Sequence, residues 1–261
     1  VNGAYGFIGN QSEVVLFGEE LPPVRRILVD NYLSAKYDIA LSANDVYDGD
    51  FDDADHNFDL DVAGIGQFGG NQHTQAFGAG MIVVDNSFLN DDGDWLLFGH
   101  NTAVNAKSSD VPTTGDWASA TNPMRWARNW YIDVTDANSD GGTVDIVFDF
   151  SEAGMNGGQP PSGPVSNYRL LKRADPSSPF TDIATATAVV GDQVHFQNVD
   201  VSLLGSNFTL GTLDDGASPT AVTLTTFSST GQATGFIVLV FGTLFLMSLA
   251  LLAWRRAERA H

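Results

Sequence analysis

Short apolar runs alternate with turn residues along most of the chain, a pattern typical of β-strands joined by tight turns. The runs recur from residue 40 to residue 211, with Gly, Asn and Asp between them. This spacing predicts a mainly β fold, an antiparallel β-sandwich or jelly-roll-like pair of sheets over residues 41–224. Residues 90–94 and 140–142 have the composition of hairpin turns. The predicted strands cover residues 61–66, 80–84, 95–99, 127–134, 143–150, 168–173, 186–190, 193–196 and 207–211.

The N-terminal part has a different pattern. Residues 13–18 (EVVLFG) are expected to form a short buried strand. Residues 23–36 predict a helix, because a Pro suits the first helical turn and apolar residues follow at helical spacing. The apolar face of this helix would consist of Val24, Ile27, Leu28, Tyr32 and Ala35.

The segment 235–254 contains no charged residue and is mostly apolar. A helix needs roughly 20 residues to cross a hydrocarbon core of about 30 Å, so we predict a transmembrane helix here. Trp254 stands where an interfacial aromatic is expected, and Arg255 and Arg256 follow, which favours a cytoplasmic basic tail over residues 255–261. Residues 225–234 are small and polar and are expected to be a flexible linker. A buried helix of a soluble domain is the alternative, but so long an uncharged run is rare in soluble helices.

The chain is strongly acidic, with a formal net charge of −20. Setting aside the three arginines and one glutamate of the tail leaves 9 basic and 31 acidic residues, a net charge of −22. Such a surface repels nucleic acid and anionic lipid, so we expect no nucleic-acid partner. Solubility in a salty medium is the simpler explanation of the acidity.

The sequence contains no Cys, which excludes zinc–thiolate sites and cysteine nucleophiles. It begins at Val1 and shows no export signal, although an exported protein with a C-terminal anchor needs one. We therefore expect a piece of a longer protein, or a mature product.

A first candidate metal site lies in the acidic stretch 48–59 (DGDFDDADHNFD). Its carboxylates at Asp48, Asp50, Asp52 and Asp59 occupy positions 1, 3, 5 and 12 of a calcium-loop pattern. Position 6 is Asp53 instead of Gly, and no predicted helix flanks the loop. A solvated acidic loop is therefore the alternative to calcium binding.

A second candidate calcium site comprises Asp136, Asn138 and Asp140, which match the first half of the same motif. The final carboxylate is missing, although Asp145 is near in sequence. The alternative is a hairpin turn whose Asp and Asn side chains bind their own backbone.

Catalytic motifs give no comparable signal. The histidines show no metal-ligand spacing, His100 is interpreted as a turn residue, and no nucleophile elbow, phosphate loop or dinucleotide fingerprint occurs. Trp117 lies in a polar loop and is expected to be exposed, as a sugar-stacking residue. Trp130 instead alternates with Ile132 and Val134, which indicates a strand core. The other aromatic residues considered for a sugar platform are Trp95, Trp126 and Tyr131.

Six segments in order resemble an uncharacterised β-rich domain of bacterial cell-surface proteins that commonly follows a laminin-G or concanavalin-like lectin module. The resemblance covers residues 12–213. The matching segments are 13–41 (EVVLFGEELPPVRRILVDNYLSAKYDIAL), 61–67 (DVAGIGQ), 93–101 (GDWLLFGHN), 125–134 with 143–150 (RWARNWYIDV, TVDIVFDF), 168–175 (YRLLKRAD) and 193–211 (QVHFQNVDVSLLGSNFTLG).

The resemblance implies architecture and location and supplies no catalytic residues. It implies that residues 1–40 close an upstream lectin-like module. We expect a single-pass, membrane-anchored extracellular protein without enzymatic activity, acting in adhesion, envelope structure or display. The alternative is an accessory carbohydrate-binding or stalk region of a surface glycan-degrading enzyme. An extracellular glycan or protein is the expected partner, and calcium the expected ion.

Overall fold

The computed structural model describes residues 12–50, 57–102, 106–151 and 163–214. These ranges all belong to one compact unit, residues 1–222. Within them the chain forms one α-helix, α1 (Pro23–Tyr37), and fourteen β-strands. The strands are β1 (Leu60–Phe68), β2 (Asn71–His73), β3 (Gln75–Gly78), β4 (Met81–Asp85), β5 (Trp95–His100), β6 (Lys107–Ser108), β7 (Met124–Trp126), β8 (Trp130–Thr135), β9 (Thr143–Asp149), β10 (Tyr168–Arg173), β11 (Thr181–Thr185), β12 (Ala188–Val190), β13 (Gln193–Asp200) and β14 (Ser206–Thr212).

The described strands form two antiparallel sheets. The larger sheet has the order β11-β10-β14-β8-β5-β1-β2, with β7 paired to β14 and β6 paired to β7. The smaller sheet has the order β12-β13-β9-β4-β3. The prediction of a mainly β, antiparallel, sandwich-like fold with one helix near the N-terminus is therefore confirmed.

The main core lies between the two sheets. Alternate residues of the longer strands face it, as the two-residue period of a strand requires. Its centre is aromatic, with the ring of Trp126 at 4.8 Å from that of Phe150 and the ring of Trp130 at 5.3 Å from that of Phe148. Edge-to-face pairs of this kind add stability beyond the area that they bury. The prediction that Trp130 is a core residue is confirmed.

Strand β5 is buried on both faces, which explains its unbroken apolar sequence. Leu96 and Phe98 face the main core, whereas Trp95 and Leu97 face a second cluster beneath α1. Gly64 and Gly66 of β1 lie on this second face, where a Cβ atom would overlap Leu97 and Trp95 respectively. Because Gly64 and Gly66 have no Cβ atom, the face of the sheet beneath α1 has room for the indole ring of Trp95.

Helix α1 begins with Pro23 as its first residue and ends at Tyr37, and the capping residue Asp38 has a left-handed backbone (φ 50°). Asn31 is buried on its inner face and binds the following segment, since its side chain donates to the Asn44 carbonyl oxygen at 2.8 Å and accepts from the Val46 amide at 2.9 Å. The prediction of a helix at 23–36 is confirmed. The assignment of residues 1–40 to an upstream module stays a prediction.

The expectation of a buried strand at 13–18 is wrong for the described residues. The segment forms no strand and pairs with no described strand, and Leu16 is 90% exposed. Without a neighbouring strand to bind its amide and carbonyl groups, an apolar run does not become a sheet strand. Glu13 instead accepts hydrogen bonds from Lys36 and Tyr37 of α1, at 2.8 and 2.7 Å.

The two predicted hairpin turns are also wrong, because each connects different sheets. Residues 90–94 join β4 of the smaller sheet to β5 of the larger one, and residues 140–142 join β8 to β9. The buried carboxylate of Asp94 accepts from the amides of Asn90 and Asp91, and from Ala137 at 3.0 Å. Asp94 thereby connects the loop between β4 and β5 to the loop between β8 and β9. The composition of a single turn does not predict such a contact.

No helix among the described residues is long and apolar enough to cross a membrane. The predicted transmembrane helix at 235–254, the linker at 225–234 and the tail at 255–261 lie outside the described residues.

Candidate functional site

The described residues on the two sides of the first predicted calcium loop lie next to one another. Asp50 forms an isolated antiparallel bridge with Asn57, and the Phe58 amide donates to the Gly49 carbonyl oxygen at 2.8 Å. The Asp48 amide donates to the carboxylate of Asp133 at 2.6 Å. Asp133 belongs to β8, so the sequence alone gave no reason to place it beside this loop. Asp52 lies outside the described residues.

Burial and like charge perturb the carboxyl groups of this loop. Burial raises the pKa of Asp50 to about 6, and the neighbouring Asp45 and Asp48 carboxylates contribute to the rise. Burial also raises the pKa values of Asp133 and Asp45, again with a contribution from Asp48. We call Asp45, Asp48, Asp50 and Asp133 the acidic cluster. Its mutual repulsion would be relieved by a proton or by a cation.

The second predicted calcium site is a turn closed by Asp136. Its carboxylate accepts from the amides of Asp140 and Gly141, at 3.3 and 2.9 Å, which is the backbone-binding arrangement considered as the alternative. Asp136 and Asp140 share a cavity of about 570 Å³ with Asp200 from the end of β13, which the sequence did not indicate. Asn138 does not line that cavity.

Asp145, the other acid near this turn, binds elsewhere, since its carboxylate accepts from the side chain of Asn86 and the amide of Asn198. In the part of the chain that the structure describes, no group of three or more His, Asp or Glu side chains is arranged to hold a metal ion. Calcium binding at either predicted site therefore stays a prediction.

The expectation of an exposed Trp117 is wrong. Trp117 lies in a short 3₁₀ helix (Gly115–Ser119), is 4% exposed, and packs against Leu171 and Phe180. The helix turns the indole towards β10, and its Nε1–H donates to Asp182 Oδ2 at 2.9 Å. The other tryptophans, Trp95, Trp126 and Trp130, are buried as well. A flat stacking platform for sugar rings is thus not formed by these residues.

Trp117 nevertheless lies at the edge of a cleft between residues 111–117 and 179–182, which we call the Trp117 cleft; its volume is about 530 Å³. Asp116 and Asp182 stand on its two sides and are bridged by Arg169 of β10. The guanidinium donates to Asp116 Oδ2 at 2.9 Å and lies 3.5 Å from Asp182 Oδ2. It also donates to the Thr185 hydroxyl at 2.7 Å.

His100 is the last residue of β5 and is buried, so its interpretation as a turn residue is wrong. Its Nδ1 lies 2.9 Å from the Thr102 carbonyl oxygen and its Nε2 lies 2.9 Å from Asp61 Oδ2. Burial lowers the pKa of His100, the bond to Asp61 opposes this, and the Arg128 guanidinium lowers the pKa further. The sequence separates Asp61 and His100 by 39 residues, and only the pairing of β1 with β5 brings them together.

Comparison with known proteins adds no relative. No protein-family model, curated protein or solved structure matches the chain. The resemblance to a β-rich domain of bacterial surface proteins stays a prediction.

Proposed function

We propose that the chain is part of a membrane-anchored surface protein that presents its β-sandwich outside the cell. In this proposal the chain catalyses no reaction and serves in adhesion, envelope structure or display. Residues 235–254 form the single membrane span, and residues 255–261 lie in the cytoplasm.

The observation that carries the proposal is the uncharged run of residues 235–254 followed directly by arginines. Transfer of each apolar side chain of such a run from water to lipid is favourable, and roughly 20 residues suffice to cross the bilayer. Basic residues beside a span stay preferentially on the cytoplasmic side. The orientation of the whole chain follows from this asymmetry.

The described sandwich supports the proposal because it buries its own core and does not need that run to complete it. Both faces of β5 and the space between the sheets are filled by residues of the sandwich and of α1. The acidity of the remaining chain, a net charge of −22 without the tail, keeps it away from anionic lipid headgroups.

Deletion of residues 235–261 tests the proposal. In cells that produce the complete protein, the intact form is expected in the membrane fraction, resistant to extraction with salt or carbonate. The shortened form is expected to leave that fraction. Retention of the shortened protein in the membrane, or a soluble intact protein, would contradict the anchor.

A further inference from the structure

The Trp117 cleft has the size of a small-molecule site. Its volume of about 530 Å³ lies within the roughly 300–1,000 Å³ common to ligand pockets. One wall is the loop that leads into the 3₁₀ helix. Gly115, the residue at which this helix begins, adopts a left-handed backbone (φ 63°). The other wall is the start of β11 with the residues before it.

The cleft presents hydrogen-bond acceptors that are held in place. Oδ2 of Asp182 receives the Trp117 indole N–H, and Oδ2 of Asp116 receives Arg169. Among the described residues, neither Oδ1 atom has a donor. Each carboxylate is contacted by a donor at Oδ2, and its Oδ1 remains able to accept a hydrogen bond from a ligand.

Hydroxyl groups and apolar surface complete the lining. Thr113 and Thr114 are exposed, and their hydroxyls have no hydrogen-bond partner in the described parts of the chain. Pro112 and Pro179 add rigid apolar surface beside them. A ligand for this lining needs O–H donors, acceptors for threonine hydroxyls, and C–H faces that pack against proline.

The charge of the cleft excludes anionic ligands. Two carboxylates face one guanidinium, so the three groups carry one net negative charge, within a chain of net charge −20. A neutral polyhydroxyl compound meets every requirement without a charge to desolvate. We propose that the Trp117 cleft binds a neutral glycan, with Asp116 and Asp182 as acceptors for sugar hydroxyls.

Trp117 serves this site as a positioning residue. Because its ring is buried, it stacks on no sugar, and its contribution is the indole N–H that orients Asp182. Recognition in the cleft thus depends on directed hydrogen bonds instead of an aromatic platform.

The inference rests on the proposed function, since an extracellular location gives the cleft access to glycans, but its test does not depend on location. The full chain, purified in mild detergent, is applied to an array of neutral, sialylated and sulfated oligosaccharides, with lysine-rich peptides on the same surface. The expected result is binding to neutral glycans, followed by measurement of Kd for the best one.

Asp116→Ala is expected to weaken that Kd at least tenfold without a change in melting temperature, because this carboxylate is 69% exposed. Trp117→Phe keeps an aromatic ring and removes the N–H, and is expected to weaken Kd about threefold to tenfold. Asp30→Ala on the outer face of α1 is the control and should bind like the native chain.

Absence of binding to every neutral glycan would overturn the inference, as would preference for anionic glycans or lysine-rich peptides. Undiminished binding by Asp116→Ala would place the glycan elsewhere and overturn it equally. The deletion of residues 235–261 reports separately on the anchor, so failure of one proposal is distinguishable from failure of the other.

Discussion

At the scale of single residues, the carboxylates of this chain divide into two kinds. Asp85, Asp94 and Asp136 accept backbone amides and organise loops. The acidic cluster is different, because Asp50 and Asp133 are partly buried close to the charges of Asp45 and Asp48, and this brings electrostatic repulsion into the fold. Such a cluster costs stability when it is ionised, and this cost depends on pH.

Asp50→Asn is expected to stabilise the protein at neutral pH. The pKa of Asp50 is raised to about 6, so its ionised form is unfavourable in the folded state above that pH. The native state binds a proton first as the pH falls, and the cost disappears between pH 6 and the ordinary range near pH 4. Because Asp50 is partly exposed, solvent screening reduces the expected gain in unfolding free energy to on the order of 1 kcal/mol, or a rise in melting temperature of roughly 2–4 °C.

Thermal unfolding with EDTA at pH 7.5 and at pH 4 measures this difference. The gain should be present at pH 7.5 and absent at pH 4, whereas Asp30→Asn on the exposed face of α1 should change neither value. An equal gain at both pH values, or a loss at pH 7.5, would argue against a destabilising carboxylate.

Calcium is expected to raise the melting temperature at millimolar concentration, because a divalent cation neutralises the carboxylates of the predicted sites. The rise should be lost in Asp48→Ala/Asp50→Ala if the first loop binds, and in Asp136→Ala/Asp140→Ala if the second does. Magnesium at the same concentration is the control for general screening. A melting temperature that calcium leaves unchanged in the native chain would exclude both sites.

At the scale of secondary-structure elements, α1 and β5 depend on one another. Helix α1 covers Trp95 and Leu97, and the glycines of β1 give these side chains their space. The helix is therefore an integral layer on the larger sheet, and its removal would expose a buried tryptophan.

Gly66→Ala is expected to destabilise the fold by about 1–3 kcal/mol, because the new Cβ would overlap the buried ring of Trp95. Gly18→Ala is the matched control, since a Cβ there meets no atom within 4 Å. Urea unfolding of both variants measures the effect. Equal stability of the two would contradict the packing of Trp95 beneath α1.

The long apolar strands were predictable from the sequence, as was the edge strand β12, which lies within the predicted strand at 186–190, but other short strands were not. The predicted strand at 168–173 coincides with β10, and those at 61–66 and 143–150 lie within two residues of β1 and β9. Strands β2 and β11 were missed, because edge strands are exposed and carry polar residues without alternation. The run at 13–18 shows the converse, because its apolar residues are exposed and pair with no described strand.

At the scale of the whole molecule, the candidate sites depend on contacts between residues distant in sequence. Arg169 joins Asp116 and Asp182, and β8 brings Asp133 to the loop at Asp48. Motif spacing cannot predict such contacts, because strand order decides them. The membrane span is the opposite case, since its signal is continuous in the sequence and needs no tertiary contact.

Membrane topology tests the central claim most directly, and because residues 1–261 contain no cysteine, an introduced thiol is the only one among them. Val190→Cys places one thiol on an exposed position of β12, and Ala260→Cys places one in the tail. In intact cells that produce the complete protein, a membrane-impermeant maleimide should label Val190→Cys at once and Ala260→Cys only after lysis. Labelling of the tail from outside, or protection of position 190 until lysis, would contradict a sandwich displayed on the cell surface.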